Sequence, residues 1–237
     1  DFFMTSYQSE MPVLYRNLGN GIFEDVTQVS RAGEGAFPYV NWGNGLIDFD
    51  HDGDLDIFIA NGHTEDNIHL WDTDTAYRAP NFLMLNDGTG HFRNISKTAG
   101  SGLAPAKASR GAAFDDLDND GDVDAVVLNS REKSTIIRND TENTNHWLQI
   151  RLIGLAANRD AVGTQVSIQA GEVKRVAEVH SGRSYQSHYG SRLHFGLGQH
   201  ARVDRIEIRW HGGGQQQLAD VVGDQLITVV QEGQNHN

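Results

Sequence analysis

The 237-residue chain contains no cysteine. That excludes disulfides, thiol catalysis and Cys-based zinc sites, and it leaves the compartment open. A secreted chain without disulfides needs another staple, and a bound metal is one candidate. No apolar run approaches the ~20 residues of a membrane helix, so no membrane span is expected. Basic side chains are also scarce: 19 Lys and Arg stand against 32 Asp and Glu, for a net charge of -13. This is the wrong sign for neutralising phosphates, so nucleic acid is not an expected partner. The 3.6-residue periodicity of helical repeats is missing. No Ser-His-Asp signature or nucleophile elbow is present, and the chain is not expected to be an enzyme. The first residue is Asp1, with no basic segment leading into an apolar one, so any targeting peptide is expected to be removed or to lie upstream.

What is abundant is acid, and it is concentrated. Of the 32 acidic residues, 24 lie in residues 1–145, and ten of those fall in two nine-residue stretches, Asp48 to Asp56 and Asp116 to Asp124. The same half repeats itself. Leu14-Tyr15-Arg16-Asn17-Leu18-Gly19-Asn20-Gly21-Ile22-Phe23 returns as Leu83-Met84-Leu85-Asn86-Asp87-Gly88-Thr89-Gly90-His91-Phe92, an offset of 69. The acidic stretch and the apolar run after it return at an offset of 68. Partial copies flank the full ones: Ile136 to Asp140 matches the start of the first word, and Asp1 to Ser6 matches the end of the second. Asp1 thereby aligns with Asp56 and Asp124, as the remnant of a third acidic loop completed by upstream sequence; coincidence over six residues is the alternative.

Each repeat reads as four short strands: 42–48 and 55–60 around the acidic loop, then 82–86 and 91–95 around an Asp-Gly turn. Four short antiparallel strands per repeat form a β-propeller blade. Residues 1–145 would supply about 2.75 blades, too few to close a ring. The remainder would come from upstream sequence or another chain, or the array is open.

Both acidic loops read D-x-D-x-D-G-D-x-D. A hard cation such as Ca²⁺ wants six to eight oxygens, and alternate carboxylates converge on one ion when the backbone coils tightly. Glycine at position 6 permits the coil. An EF-hand would need a Glu at position 12, where this chain has Ile59 and Val127. The expected ligands are the side chains of Asp48, Asp50, Asp52 and Asp56 and of Asp116, Asp118, Asp120 and Asp124, with Asp54 and Asp122 contributing backbone carbonyls. The alternative is a solvated acidic turn. Ligand number and loop flexibility favour Ca²⁺ over Mg²⁺, and transition metals would favour His or Cys. His51 falls at a non-ligand position and is expected to face solvent.

On these loops and the Asn-x-Gly-x-Gly-x-Phe words, residues 1–145 resemble FG-GAP/VCBS-type repeats, the calcium-loop blades also found in integrin α-subunit propellers. Residues 136–233 resemble an ASPIC/UnbV domain, and the second domain is expected to span 146–237. The resemblance runs through Arg138-Asn139-Asp140, Asn145-His146-Trp147-Leu148, Asn158-Arg159-Asp160, Ser181-Gly182-Arg183-Ser184-Tyr185-Gln186-Ser187, Leu193-His194-Phe195-Gly196-Leu197-Gly198 and Val203 to Trp210. Their order is that of the cartilage acidic protein family. Departures are mild: Ala161-Val162-Gly163 stands for Gly-Ile-Gly, and Trp210-His211-Gly212-Gly213 for Trp-Pro-x-Gly. The resemblance implies a secreted, extracellular or periplasmic calcium-binding propeller with an appended β-domain, and it supplies no reaction.

Within 147–230, period-2 alternation marks half-buried strands: Leu148, Ile150, Leu152; Val166, Ile168; Ala177, Val179; Ile206, Ile208, Trp210; and Leu226, Thr228, Val230. The fold class expected is all-β, a partial propeller followed by an antiparallel sandwich or barrel-like domain. His180, His188 and His194, with Arg183, Tyr185 and Tyr189, could form a polar pocket or a second metal site, or be ordinary strand residues. Asn94-Ile95-Ser96 and Asn139-Asp140-Thr141 fit the glycosylation sequon. The functional expectation is a structural or adhesion-type protein whose calcium-stiffened loops support binding to a protein or glycan at a cell surface or in a matrix. The alternatives are a calcium-dependent polysaccharide lyase and a filament subunit with self-assembling blade edges. A lyase needs a base or acid in a groove, and Lys97, Lys107, Lys133 and Lys174 form no constellation.

Overall fold

A computed structural model describes residues 1–233 and is built of β-strands, apart from a four-residue helix, Thr27–Ser30, and a 3-10 turn, Ile68–Leu70. Three antiparallel sheets follow one another in the first half. The first contains β1 (Phe2–Met4), β2 (Val13–Gly19) and β3 (Ile22–Asp25). The second contains β4 (Asn41–Ile47), β5 (Asp56–Asn61), β6 (Phe82–Asn86) and β7 (Phe92–Asn94). The third contains β8 (Ser109–Asp115), β9 (Asp124–Asn129) and β10 (Thr135–Ile137). Strand order within each sheet is sequential, as in a propeller blade.

The apolar run Ile57-Phe58-Ile59-Ala60 lacks polar alternation because both faces of β5 are buried. Ile57 and Ile59 join Phe3, Leu14, Phe82 and Met84 in the core shared with the first blade, while Phe58 and Ala60 join Phe49, Phe114 and Val127 in the core shared with the third. The inner strands β4 and β8 meet through glycine. A Cβ on Gly43 would lie within 3 Å of the Arg110 and Ala112 backbone.

Among the described residues the blades hold ten strands, two and a half blades' worth against the 2.75 expected. The fourth strand of the third blade is missing for a local reason. In the second blade Gly88 and Gly90 turn the chain with φ of 81° and 84°, whereas the matching positions after Asn139 are Thr141 and Asn143. Without glycine the left-handed turn is disfavoured, and the chain leaves the blade towards β11 (His146–Ile153).

The second half is a sandwich. One sheet runs β14 (Arg192–Gly198), β11, β17 (Gln225–Val230). The other runs β13 (Val173–Glu178), β12 (Gln165–Ala170), β15 (Arg202–Arg209), β16 (Gln215–Val222). Leu148, Ile150, Val166, Ile168, Leu197, Ile206 and Ile208 fill the space between them. Two details differ from expectation. The sandwich is not wholly antiparallel, because β17 runs parallel to β11, Leu148 pairing with Gln225 and Ile153 with Val230. The inward set on β17 is also the opposite one: Val229 is buried and Ile227 packs on the core, while Leu226 and Val230 are exposed. A three-residue alternation of Leu, Thr and Val against Ile and Val carries too little contrast to fix parity.

Between the inward Leu193 and Phe195, His194 points the other way, into the seam with the blades. Its ring lies 5.0 Å from that of His51 and 6.4 Å from that of Trp147, and neither nitrogen has a hydrogen-bond partner among the described residues. Burial first, then His51 and Arg192, push its pKa down to about 3. With the folded value below the ordinary one near 6.5, stability from neutral His194 is full above pH 6.5 and is lost as pH falls through that range towards 3. At pH 5 the loss is about 2 kcal/mol. Urea midpoints at pH 7.5 and 5.0 should therefore differ more in the native chain than in His194→Leu; equal differences would refute the assignment.

Candidate metal centres at the domain seam

Each acidic loop links the first two strands of its blade and coils the same way. His51 and Asn119 at position 4 are left-handed, with φ of 62° and 63°, and Gly53 and Gly121 at position 6 follow with 91° and 106°. Backbone amides then tie the loop to its own carboxylates. Asp54 N–H donates to Asp52 at 2.8 Å and Asp122 N–H to Asp120 at 3.0 Å. The coil gathers the carboxylates at positions 1, 3 and 5. Oxygens of Asp48, Asp50 and Asp52, and likewise of Asp116, Asp118 and Asp120, lie within 4.8 Å of one another.

The first acid of each triad is 4% exposed in Asp48 and 2% in Asp116. One oxygen of each is satisfied, Asp48 Oδ2 by Gly53 N–H at 2.9 Å and Asp116 Oδ2 by Gly121 N–H at 3.0 Å. The other, Oδ1 in both, is buried with no hydrogen-bond partner among the described residues. A buried, unpartnered carboxylate oxygen is costly, and burial followed by the charges of Asp56, Asp52 and Asp50 pushes the Asp48 pKa well up. A hard cation removes both penalties, and an all-oxygen donor set suits one. The residues fit Ca²⁺: the triads would hold it, and it would supply positive charge and fixed coordination to a loop that otherwise repels itself.

The ninth-position acids stand beside the triads and close the loops. Asp56 accepts from Phe49 N–H at 3.1 Å and from Asn86 N–H at 2.9 Å, and Asp124 accepts from Leu117 and Asn139 at 3.0 and 2.8 Å. Each oxygen keeps a second lone pair, so the clamp leaves their capacity as ligands intact. Asp1 accepts from Asn17 N–H at 2.7 Å, the same bond in the first blade, which supports its alignment with Asp56 and Asp124. No acidic triad forms around Asp1 among the described residues. Position 7 differs between the loops: the Asp54 carboxylate meets Arg175 at 3.3 Å, and that of Asp122 lies 3.3 Å from His51 Nε2.

His51 is therefore not solvent-facing. It is 3% exposed and wedged between the two loops and the sandwich. The sandwich covers both loops. Asn145 donates to Asp50 O at 2.9 Å, Gly198 N–H to His51 O at 2.8 Å, and Arg175 Nε to Gly53 O at 2.5 Å. On the second loop, Gln149 Nε2 donates to Asp116 Oδ2 at 2.9 Å and Arg192 Nη2 to Asp116 O at 3.0 Å. A cavity of about 540 Å³ lies along this seam, with Asp48, Asp116, Arg175 and Arg192 among its walls.

The 180–190 segment forms a separate attachment. Asn44 N–H donates to Ser184 Oγ at 2.7 Å, Tyr189 OH to Asn44 O at 3.1 Å and Ser187 Oγ to Ala112 O at 2.6 Å. The accepting and donating backbone groups lie on β4 and β8 near their bulges, where the ladders shift register. His188 Nδ1 accepts from Gly182 N–H, and His180, His188 and His194 form no metal-binding group among the described residues. The sequon asparagines are structural: Asn94 Nδ2 donates to Glu34 O and Asn139 Nδ2 to Phe49 O.

Burial, followed mainly by neighbouring acids, raises Asp122 to about 6; burial raises Asp56 to about 7 despite amide bonds from Asn86 and Phe49. Metal-free loops thus carry protons at mildly acid pH, and cation binding must displace them. Calorimetric titration with CaCl₂ at pH 6 should give an apparent enthalpy that varies with the ionisation heat of the buffer, and the variation should fade by pH 8. A buffer-independent enthalpy at pH 6 would contradict these protonation states.

Family models for an FG-GAP-like repeat match residues 1–59 and 48–127, and one for ASPIC and UnbV matches 154–236. No curated protein matches the chain.

Proposed function

Because the chain belongs to the FG-GAP-like repeat family and closes with an ASPIC and UnbV domain, we propose that it is an extracytoplasmic, calcium-binding structural or adhesion-type protein. Ca²⁺ in the loops 48–56 and 116–124 locks the blades against the second domain. The rigid unit then presents its exposed loops to a protein or glycan at a cell surface or in a matrix. The observation that carries this reading is the pair of buried, unpartnered oxygens, Asp48 Oδ1 and Asp116 Oδ1, each inside an acidic triad. Secretion accords with the absence, among the described residues, of any helix long and apolar enough to cross a membrane.

The reading assigns no reaction to the chain. Titration of the metal-free protein should show two saturable Ca²⁺ sites per chain, with Mg²⁺ competing weakly, and binding to a panel of matrix proteins and glycans should require calcium. No saturable Ca²⁺ binding at millimolar concentration would overturn the metal assignment. Turnover of uronate-containing polysaccharides would overturn the non-enzymatic one.

A further inference from the structure

We infer that Gln149, a residue of the second domain, is a positioning residue for the cation of the loop 116–124. The inference rests on the calcium reading above. Gln149 lies on β11 between the core residues Leu148 and Ile150, with its side chain on the opposite face of the strand, and it is 1% exposed. An amide is costly to bury unless its donors and acceptor are all used. Here they are used on the acidic loop. Nε2 donates to Asp116 Oδ2 at 2.9 Å and lies 3.4 Å from Gly121 O, while Oε1 accepts from Arg192 Nη1 at 3.1 Å. The arginine can only donate, so it fixes which end of the amide faces Asp116.

The consequence is a carboxylate held by two donors on one oxygen. Asp116 Oδ2 takes both the Gly121 amide and Gln149, which fixes the rotamer and leaves the buried Oδ1 for a cation. Arg192 secures the same loop through Asp116 O and Asn119 Oδ1. The loop 48–56 has no equivalent. Asp48 Oδ2 takes only the Gly53 amide and packs against the backbone of Gly196. The second domain therefore hydrogen-bonds the first carboxylate of one triad, whereas at the other loop its bonds go to the backbone oxygens of His51 and Gly53 and to Asp54, outside the triad. Outer-shell partners of this kind typically alter metal affinity 10- to 100-fold.

The test uses the full chain with one loop disabled at a time. Asp48→Asn leaves the loop 116–124, and Asp116→Asn leaves the loop 48–56. Gln149→Met, similar in volume but without donors, is placed in each background, and Ca²⁺ affinity is read by calorimetry. The expected result is a 10- to 100-fold weakening in the Asp48→Asn background and less than a threefold change in the other. A residue that merely glued the domains would weaken both centres alike or neither, and either result overturns the inference. If Gln149→Met fails to fold, Gln149→Asn keeps an amide that is too short to reach Asp116, and the same selective loss is expected. A native chain that binds no Ca²⁺ would sink the calcium reading itself. A native chain that binds two, with Gln149 variants unaffected, would sink only this inference.

Discussion

Removing Ca²⁺ from the full chain with a chelator is expected to lower its melting temperature by about 10–20 °C at pH 7.5. A ligand at 100 times its Kd stabilises the state that binds it by about 2.7 kcal/mol, so two such sites give roughly 5 kcal/mol. A chain of this size shifts by about 2–4 °C per kcal/mol. The loops supply a reason for the dependence to be steep. Five acids in nine residues are folded against a second domain, and burial with like charge holds Asp48, Asp52 and Asp56 above the ordinary carboxylate range. The pH dependence has a defined sign. Raised folded values mean that the metal-free native state binds more protons than the unfolded chain. Metal-free stability therefore falls as pH rises from the ordinary carboxylate range near 4 to about 7. Chelation should consequently cost more at pH 7.5 than at pH 5.5. Asp50→Ala and Asp118→Ala, each disabling one centre, should give about half the effect of the chelator and should not add to it at the disabled loop. A melt unchanged after verified removal of calcium would sink the assignment.

The repeat words carried most of the propeller half. Asn17, Asn86 and Asn139 recur because each side-chain Oδ1 accepts the backbone N–H two residues on, while the backbone N–H of each closes its strand to Asp1, Asp56 or Asp124, a bond made three times with nearly the same length. The strand bounds followed from the same words, since the Asp-Gly turn and the acidic coil both punctuate the chain by chemistry local to them. What stayed hidden was the seam. Gln149, Arg175 and Arg192 lie far from the loops in sequence and on strands whose alternation reads as core inward and solvent outward. Period-2 analysis places Gln149 outside correctly, but it cannot tell water from a neighbouring acidic loop. One faint signal existed: the two Arg stand in a half that is nearly neutral, opposite a half that carries all of the net negative charge. His51 was misplaced for the same reason. Its non-ligand position in the loop read as solvent-facing, and only the packing of the sandwich puts its ring between Asp122 and His194.

Two glycines at that seam should be among the least replaceable residues in the chain. Gly121 sits at φ 106°, and a Cβ there would overlap the indole of Trp147; Gly196 has ordinary φ, but its Cβ would overlap Asp48 Oδ2 and come within 2.7 Å of the His51 backbone. Neither obstacle can easily yield. Trp147 is the second residue of β11, where its backbone is held by Asp224, and Asp48 is the buried acid of the first triad. Gly121→Ala combines a left-handed penalty of about 1–2 kcal/mol with overpacking of about 1–3 kcal/mol, so a loss of about 3 kcal/mol is expected. That corresponds to a fall in melting temperature of about 10 °C. Gly196→Ala has only the overpacking cost, but it pushes directly on Asp48, so its Ca²⁺ affinity at the loop 48–56 should fall together with stability. Gly182→Ala is the control, because its Cβ would meet nothing within 4 Å although φ is 93°. It isolates the backbone penalty and should cost about 1 kcal/mol. Denaturant melts in saturating Ca²⁺ measure all three. If Gly121→Ala proved no worse than Gly182→Ala, the two halves would not be packed loop against strand, and the coupling between calcium and the second domain would lose its structural basis.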